Sequence, residues 1–586
     1  MTSKTENFYK TEKVAWDVSK PGYIPASGEV TLAGDTVINV DLFRDTDWIW
    51  TNIPSEISIQ YLKFDDGYEP EGVTSFSTPL SVRDCMHKLI SINLNNVWDK
   101  FTAPILFTEG LTKLEVYSDF LETFNLHTQI LRSPEDVSDW SAGYLEQIIL
   151  SHTPNLTTFS VRNSGRLREL HADDFSHVTN MVEAFYGNTS LEYVSPMYLD
   201  SCTNLNLMFA YCKFSEFPTT LHNTSNVKSV NSMFCECTNL TSAPLFDTQN
   251  VTDMQKMFEN CTSLTTVPLF NTQNVTDMSW MFSGCVNLTS VPLFDTSNVT
   301  SMHDMFSVCE SLTTVPLFNT QNVTDMGWMF SSCNSLTSVP LFDTQKVTDM
   351  SVMFSHCTNL TAVPLFNTQN VTDMSLMFEN CTSLTTVPLF DMSNVTNTWG
   401  MFTGCHSLTT VPPINIPNTT TAYEMFKNCT NLTTVSPINI PKVTSTGSMF
   451  ENCTSLTSIS EINTSKSLTD TSRMFYNCKN LTSIPEMYML NVGTPSSHDT
   501  INYDSIRDMF YGCTSLTDCG GFKYLKISID LSDCPLTHES AMNVINKITR
   551  PETGTQRIKF SRVTYNTLSA ADIKIATDKW WEITVA

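Results

Sequence analysis

The chain has 586 residues, with 33 Lys or Arg against 60 Asp or Glu and a net charge of −27. No Arg lies between Arg168 and Arg473, so the middle of the chain has little with which to meet phosphates, which excludes nucleic acid as the expected partner. No stretch approaches the roughly 18 apolar residues of a membrane span, and "MTSKTENFYKTEKVAWDVSK" at the N-terminus has no apolar signal-like run; a soluble chain made in a cytoplasm, without membrane insertion, is expected.

In chain order, residues 1–85 carry the strand-like runs "GEVTLAGDTVINVDLF" and "EISIQYLKF", followed by the turn-rich "DDGYEPEGVTSFSTP". They predict a separate N-terminal β domain suited to attachment. From residue 86 a pattern Leu-x-x-apolar-x-apolar sets in, at Leu89/Ile92/Leu94, Leu111/Leu114/Val116, Leu121/Phe124/Leu126, Leu145/Ile148/Leu150, Leu156/Phe159/Val161 and Leu167/Leu170. The pattern is degenerate over 86–154 and regular over 155–515. There Met-Phe pairs such as Met257-Phe258 and Met281-Phe282 recur, and fourteen coils are countable from Ala184-Phe185 to Met509-Phe510. Such a period is the mark of a solenoid.

Within one coil, Leu264, Val267 and Leu269 predict a short strand with these residues facing inward and Thr266 and Pro268 facing out. Met278, Met281, Phe282 and Cys285 fall at i, i+3, i+4 and i+7, which predicts a short helix. The expected fold class is an α+β repeat, a solenoid whose coils each pair a strand with a helix.

Four residues before each Met of the pair stands Asp, Asn, Ser or Thr, among them Asp253, Asp277, Asp325, Asp349 and Asp373. These are predicted helix N-caps, each worth about 1 kcal/mol. A calcium ladder of stacked aspartates is the rival reading, but Ser301, Asn397 and Thr421 in the same column lack carboxylates, so neither metal nor cofactor is expected. A second column alternates acid with amide, from Asp247 and Asn271 to Asn367 and Asp391. Alternation avoids the repulsion of stacked carboxylates, roughly 1 to 3 kcal/mol at about 5 Å, and duplication of a two-coil unit accounts for it equally well.

Of 18 cysteines, eleven from Cys237 to Cys478 recur with the coil. Stacked coils hold parallel Cβ vectors about 4.8 Å apart, where a disulfide needs roughly 3.8 Å, so buried free thiols are expected; whether Cys519 and Cys534 pair is left open. Asn-x-Thr triplets such as Asn260-Cys261-Thr262 are read as turn residues that the repeat multiplies. No metalloprotease, Walker, Rossmann or nucleophile-elbow pattern occurs, and His303, His356 and His406 occupy unlike offsets. Glu451 and Glu461 can be proposed as a hydrolase dyad, but in so acidic a chain a solvated surface is the better reading, and no enzyme is expected.

Positions that change from coil to coil are those that packing leaves free. The changing pair before Met-Phe and its surroundings supply a candidate binding stripe of Lys256, Trp280, His303, Asp304, Trp328, Trp399, Tyr423 and Glu424, with Trp and Tyr as the anchors. The alternative is that Trp280, Trp328 and Trp399 fill grooves between coils. Further on, "NVGTPSSHDT" lengthens one coil and predicts a protruding loop. Residues 516–586 predict an αβ cap on the last coil, with one helix capped at Thr537 and another opened by Ser569 with Asp572 three later.

The unit "MFSGCVNLTSVPLFDTSNVT" resembles the BspA-like leucine-rich repeats of bacterial surface proteins, whose units carry Met-Phe, Cys-x-x-Leu and Asp-Thr-x-x-Val-Thr. The resemblance covers roughly residues 155 to 515. It departs in Val-Pro-Leu-Phe, where that family more often has Leu-Asp-Leu, so the proline-bearing strand is expected to pair less completely. The ending "LSDCPLTHESAMNVIN … LSAADIKIATDKWWEITVA" is similar to that of repeat proteins encoded by gut Bacteroidales and their bacteriophages. These resemblances imply a leucine-rich-repeat solenoid that serves adhesion and has no catalytic residues. The expected role is a bacteriophage virion structural protein, a head or tail appendage or fiber, assembled in the host cytoplasm. It would join other virion proteins through its N-terminal domain and meet a host surface protein or glycan, with a homo-oligomer left open. The alternatives are a structural spacer or decoration protein touching only virion subunits, and a bacterial cell-surface adhesin.

Overall fold

The computed structural model describes residues 146–464, 466–493, 503–552 and 554–586, together with eight strands before residue 146. Two compact units, Met1–Asp277 and Met278–Ala586, divide the chain, and each is described by itself.

In the first unit, Lys13–Val18 and Ala26–Thr31 form an antiparallel pair. Ile38–Val40 pairs antiparallel with Ile57–Phe64, which pairs antiparallel with Leu89–Asn95. From there the sheet continues in parallel through Lys113–Tyr117, Gln147–Ser151, Glu169–Ala172 and Tyr193–Val194. Strands from the first 85 residues thus extend the solenoid's own sheet; the rest of the expected N-terminal domain lies outside the described residues. Register stacks Ile92, Leu114, Ile148 and Leu170 in one row. A second parallel sheet of Lys100–Ala103, Thr123–His127 and Thr158–Arg162 brings Phe124 opposite Phe159, their rings 5.9 Å apart. The Leu-x-x-apolar signature therefore serves two sheets, because an inward-alternating strand reads alike in either.

The core is a set of columns. In the second unit Phe282, Phe306, Phe330, Phe354 and Phe378 stack with centroids 5.7 to 5.8 Å apart and planes within 9°. Met281, Cys285 and Leu288 and their counterparts line the same interior with no exposed surface. The described cysteines are all free and buried, Cys519 and Cys534 included.

The helix expected at Met278–Cys285 is not formed; two successive turns take its place. Trp280 and Gly284 have φ of 55° and 74°, and a left-handed residue at every fourth position ends helical propagation. Within the coil, Met281 N–H donates to Met278 O at 3.2 Å and Cys285 N–H to Phe282 O at 3.0 Å. Trp280, Phe282 and Gly284 instead donate to His303, Met305 and Ser307 of the next coil. Alternate N–H groups serve the neighbour, as in a β-ladder, whereas an α-helix spends its donors on itself.

The column read as N-caps sits at the start of these turns. Asp253 Oδ1 accepts from Gln255 N–H (3.0 Å), Asp325 from Gly327 (2.9 Å), Asp349 from Ser351 (2.7 Å) and Asp373 from Ser375 (2.8 Å). Asp277 accepts from the Gln255 side-chain amide at 2.6 Å. The carboxylates of Asp253, Asp325, Asp349 and Asp373 cap turns two residues long, the Asx arrangement, and not a helical first turn.

On the opposite side, Leu269 faces out and not in. It is 62 % exposed, and Phe270 takes the inner place at 2 %. The cause is the proline. Having no N–H to give, it lets the chain fold back, so that Phe294 N–H donates to Pro292 O at 3.0 Å, Phe318 to Pro316 at 3.0 Å and Phe342 to Pro340 at 3.1 Å. Each is a three-residue turn with Leu at its apex. Among the described residues the Pro-Leu-Phe segments between 290 and 400 form no strand. Where Ile414, Ile438 and Ile462 replace that Phe, Ile414 N–H donates to Pro437 O of the next coil at 3.1 Å. There two parallel sheets appear, one of Ile414–Asn415, Ile438–Ile440 and Ile462–Thr464 and one of Thr410–Val411, Thr434–Val435, Ser458–Ile459, Ser483–Ile484 and Asp518–Cys519.

The C-terminal segment adds a parallel sheet of Ile529–Leu531, Gln556–Phe560 and Trp581–Val585 with helices His538–Lys547, Arg562–Tyr565 and Ala570–Asp578. Thr537 Oγ1 accepts from Ser540 N–H, and Ser569 with Asp572 forms a reciprocal capping box. His538–Lys547 packs on Asp518–Cys519 and Phe522–Lys523. The loop predicted from "NVGTPSSHDT" falls mainly on 494–500, outside the described residues.

Candidate recognition surface

The turn side carries the residues that vary. The position just before each Met is left-handed whatever stands there: Lys256 (φ 55°), Trp280 (55°), Asp304 (53°), Trp328 (60°), Val352 (57°), Leu376 (53°) and Glu424 (57°). A residue with a Cβ pays about 1 kcal/mol or more in this region, so the backbone imposes the conformation and the side chain is free to differ. In the second unit the cost is met by the inter-coil bond that the N–H groups of Trp280, Asp304, Trp328, Val352, Leu376 and Glu424 make, for example Trp328 to Ser351 O at 2.9 Å.

In the first unit Lys256 is half-buried and pairs with Glu259 at 3.2 Å. In the second, two groups form. Trp280 meets His303 edge-on with ring centroids 5.1 Å apart. His303 lies between two carboxylates, 3.0 Å from Asp304 and 3.2 Å from Asp325. Its ring leans over Gly327, where a Cβ would stand 3.1 Å from Nδ1. Trp328, in the next coil, is 41 % exposed, and Trp399 is 42 % exposed.

The second group gathers around Lys427. Tyr423 leans over Gly447, whose missing Cβ would lie 3.0 Å from the ring, and Glu424 binds Lys427. Burial pulls the Lys427 ammonium down, but its bond to Glu424 and the charges of Glu424 and Glu451 outweigh that and hold it above its usual value. Glu451, almost fully buried, takes Arg473 at 3.0 Å, and the Arg473 guanidinium lies 4.2 Å from the Tyr476 ring centroid. Glu451 Oε2 and Arg473 Nε have no hydrogen-bond partner. Lys427, Glu451 and Arg473 are absent from the sequence-derived stripe: Lys427 and Glu451 follow Met-Phe directly, Arg473 precedes it, and they meet only once the coils are stacked. The exposed leucines are also absent from it, and the proline before each was the available signal.

Among the described residues no group of three or more His, Cys, Asp or Glu is disposed to hold a metal ion, and no helix is long and apolar enough to cross a membrane. Seven overlapping segments, from residues 156–269 to 420–524, match the family described as "Mycoplasma protein of unknown function, DUF285". No curated protein matches the chain. Among solved structures the chain is similar to a leucine-rich repeat protein from Eubacterium ventriosum, at 12 % identity and a TM-score of 0.26 over 73 % of this chain and 91 % of that one. It is also similar to the functional domain of InlJ from Listeria monocytogenes, described as including a cysteine ladder, at 14 % identity and a TM-score of 0.20 over 69 % and 74 %.

Proposed function

The chain belongs to the family described as Mycoplasma protein of unknown function, DUF285, and on that premise we propose that it is a non-enzymatic recognition protein of a bacteriophage particle. In this reading it is a head or tail appendage whose turn side meets a host surface protein or glycan. The observation that supports it is the division of labour within each coil. Residues that keep their identity, such as Met281, Phe282 and Cys285, are fully buried, while residues that change, such as Trp328 and Trp399, are 41 and 42 % exposed. Among the changing positions Val352 is buried and Trp280, His303, Tyr423 and Glu424 are partly covered, so Trp328 and Trp399 are the ones a partner reaches, and exposed Trp is the commonest kind of anchor.

The phage setting is supported by the similarity of the C-terminal sequence to endings of repeat proteins encoded by gut Bacteroidales and their bacteriophages. The strands of the first 85 residues then serve attachment to other virion proteins, and the C-terminal αβ segment closes the array. A second reading, a bacterial cell-surface adhesin, is favoured by the family's description as a Mycoplasma protein.

Replacing Trp280, Trp328 and Trp399 with Ser, with folding checked by circular dichroism, tests the recognition role. Attachment of the purified protein to host cells is expected to fall about tenfold or more. Unchanged attachment with intact particles would reassign the array as a spacer that touches only virion subunits.

A further inference from the structure

In the unit Met278–Ala586, five leucines that follow a proline in five consecutive coils stand out in solvent: Leu293, Leu317, Leu341, Leu365 and Leu389, each 59 to 61 % exposed. The core has no need of them, because Phe294, Phe318, Phe342 and Phe366 fill the inner positions at 1 to 2 % exposure. Next in the column stand Pro413, Pro437 and Glu461, so the ridge has a definite end. A lone exposed Leu is ordinary, but an unbroken row of them marks an interaction surface.

Two polar columns flank the ridge, on opposite sides because every coil crosses it in the same direction. Before it come the exposed hydroxyls of Ser290, Thr314, Ser338 and Thr386, with Ala362 among them. After it come Asp295, Asn319, Asp343, Asn367 and Asp391, also exposed.

We propose that this ridge docks a second copy of the chain, the two lying side by side and parallel about a two-fold axis that runs along the ridge. Spacing is the first argument. A second copy repeats the ridge at the same coil rise, about 4.8 Å, whereas a helix laid along it offers a row every 5.4 Å or so and falls out of step by roughly 2.5 Å across five coils. Complementarity is the second. The two-fold axis sets the hydroxyl column of each copy opposite the Asp and Asn column of the other at the same level, so donors face acceptors. An antiparallel pairing sets carboxylates against carboxylates. Closure is the third, since this two-fold uses up both ridges and leaves none exposed.

The net charge of −27 opposes the approach of two copies at long range, and salt screens that repulsion. Association therefore strengthens as ionic strength rises, the reverse of what a cationic partner shows.

Sedimentation of the full chain at about 50 and about 500 mM salt is expected to show a dimer that tightens severalfold at the higher value. Leu317→Ser, Leu341→Ser and Leu365→Ser together are expected to weaken it about tenfold or more while leaving the melting temperature unchanged at concentrations where the parent chain is monomeric, because each of these side chains is mostly exposed. A Leu341→Cys variant under an added oxidant is expected to give disulfide-linked dimers, since Leu341 faces its own copy across the axis. The unsubstituted chain and Thr348→Cys, which lies off the ridge, are expected to give none. A chain that stays monomeric at both salts, one whose association weakens with salt, or a dimer the triple variant retains would overturn the proposal.

Discussion

The thiol of Cys357 donates to the carbonyl oxygen of Phe330, one coil back, at 3.0 Å, and the same oxygen receives the Cys333 N–H at 3.1 Å. The bond repeats from Cys309 to Phe282, Cys333 to Phe306, Cys381 to Phe354 and Cys405 to Phe378. Cysteine suits the column because it is small and apolar yet carries a donor for the second lone pair of a buried carbonyl. Cys357→Ala is expected to cost about 1 to 2 kcal/mol through the lost donor and the void it leaves. Thermal melting measures the loss, and hydrogen exchange should locate it in the coils on either side.

The same burial gives the array an alkaline weakness. The thiols of Cys212, Cys357 and Cys429 are pushed up to about 12 by loss of solvation, against about 8.5 in an unfolded chain. The native state therefore keeps protons that the unfolded state releases. Stability is complete below about pH 8.5 and falls as pH rises toward 12, by up to about 1.4 kcal/mol per pH unit for each such thiol. Urea midpoints at neutral pH and about two units above it test this, and equal midpoints would contradict it. At mildly alkaline pH a thiol reagent is expected to label these cysteines only as fast as the coils unfold.

Asp349 holds the Ser351 N–H at 2.7 Å. Asp349→Ala is expected to lower stability by about 1 kcal/mol, while Asp349→Asn and Asp349→Ser stay close to the parent, as Asn397 and Ser301 do in the same column. A melting series of the three variants separates a turn cap, which any side-chain oxygen satisfies, from a charge-dependent role, in which all three would fall together.

Two residues after each Phe, the backbone is left-handed again. Gly404 has φ 74°, and a Cβ there would lie 2.2 Å from Asn380 Oδ1, whereas Ser332 occupies the same offset at φ 59°. Gly404→Ala is expected to destabilise by about 1 to 2 kcal/mol or more, and Ser332→Gly to stabilise by up to about 1 kcal/mol. Opposite shifts in melting temperature are the readout.

The phase of the repeat and its interior columns are legible in sequence, because Met281, Phe282, Cys285 and Leu288 recur at fixed offsets and are all buried. The turn side is not, since apolar residues at 278, 281, 282 and 285 suit a helix and also two four-residue turns in succession. The signal that separates them is Asn260, Gly284, Asn380, Gly404 and Asn428 at one offset, residue types that tolerate positive φ. Leu269 was misdirected by period-two alternation, which holds only while each residue is extended, and turns such as the one that Pro292 begins break it. The varying stripe could be found by comparing copies. The contacts within it could not, because Trp280 with His303, or Glu451 with Arg473, join residues from different coils.

The inter-coil bonds carry a consequence for how such a chain changes over time. Asp304 N–H donates to Gly327 O at 3.0 Å, and Trp328 N–H to Ser351 O at 2.9 Å, one 24-residue step further on. If residues 305–328 are excised, Asp304 meets Ser351 where it met Gly327, Met302 meets Asp349 where it met Asp325, and each other donor whose acceptor is removed meets the equivalent carbonyl of the coil now beside it. Near-identical stretches of gene can thus recombine out of register and hand the protein a longer or shorter array, with a different order of Trp, His and Asp along it, at no cost to the way any single coil closes.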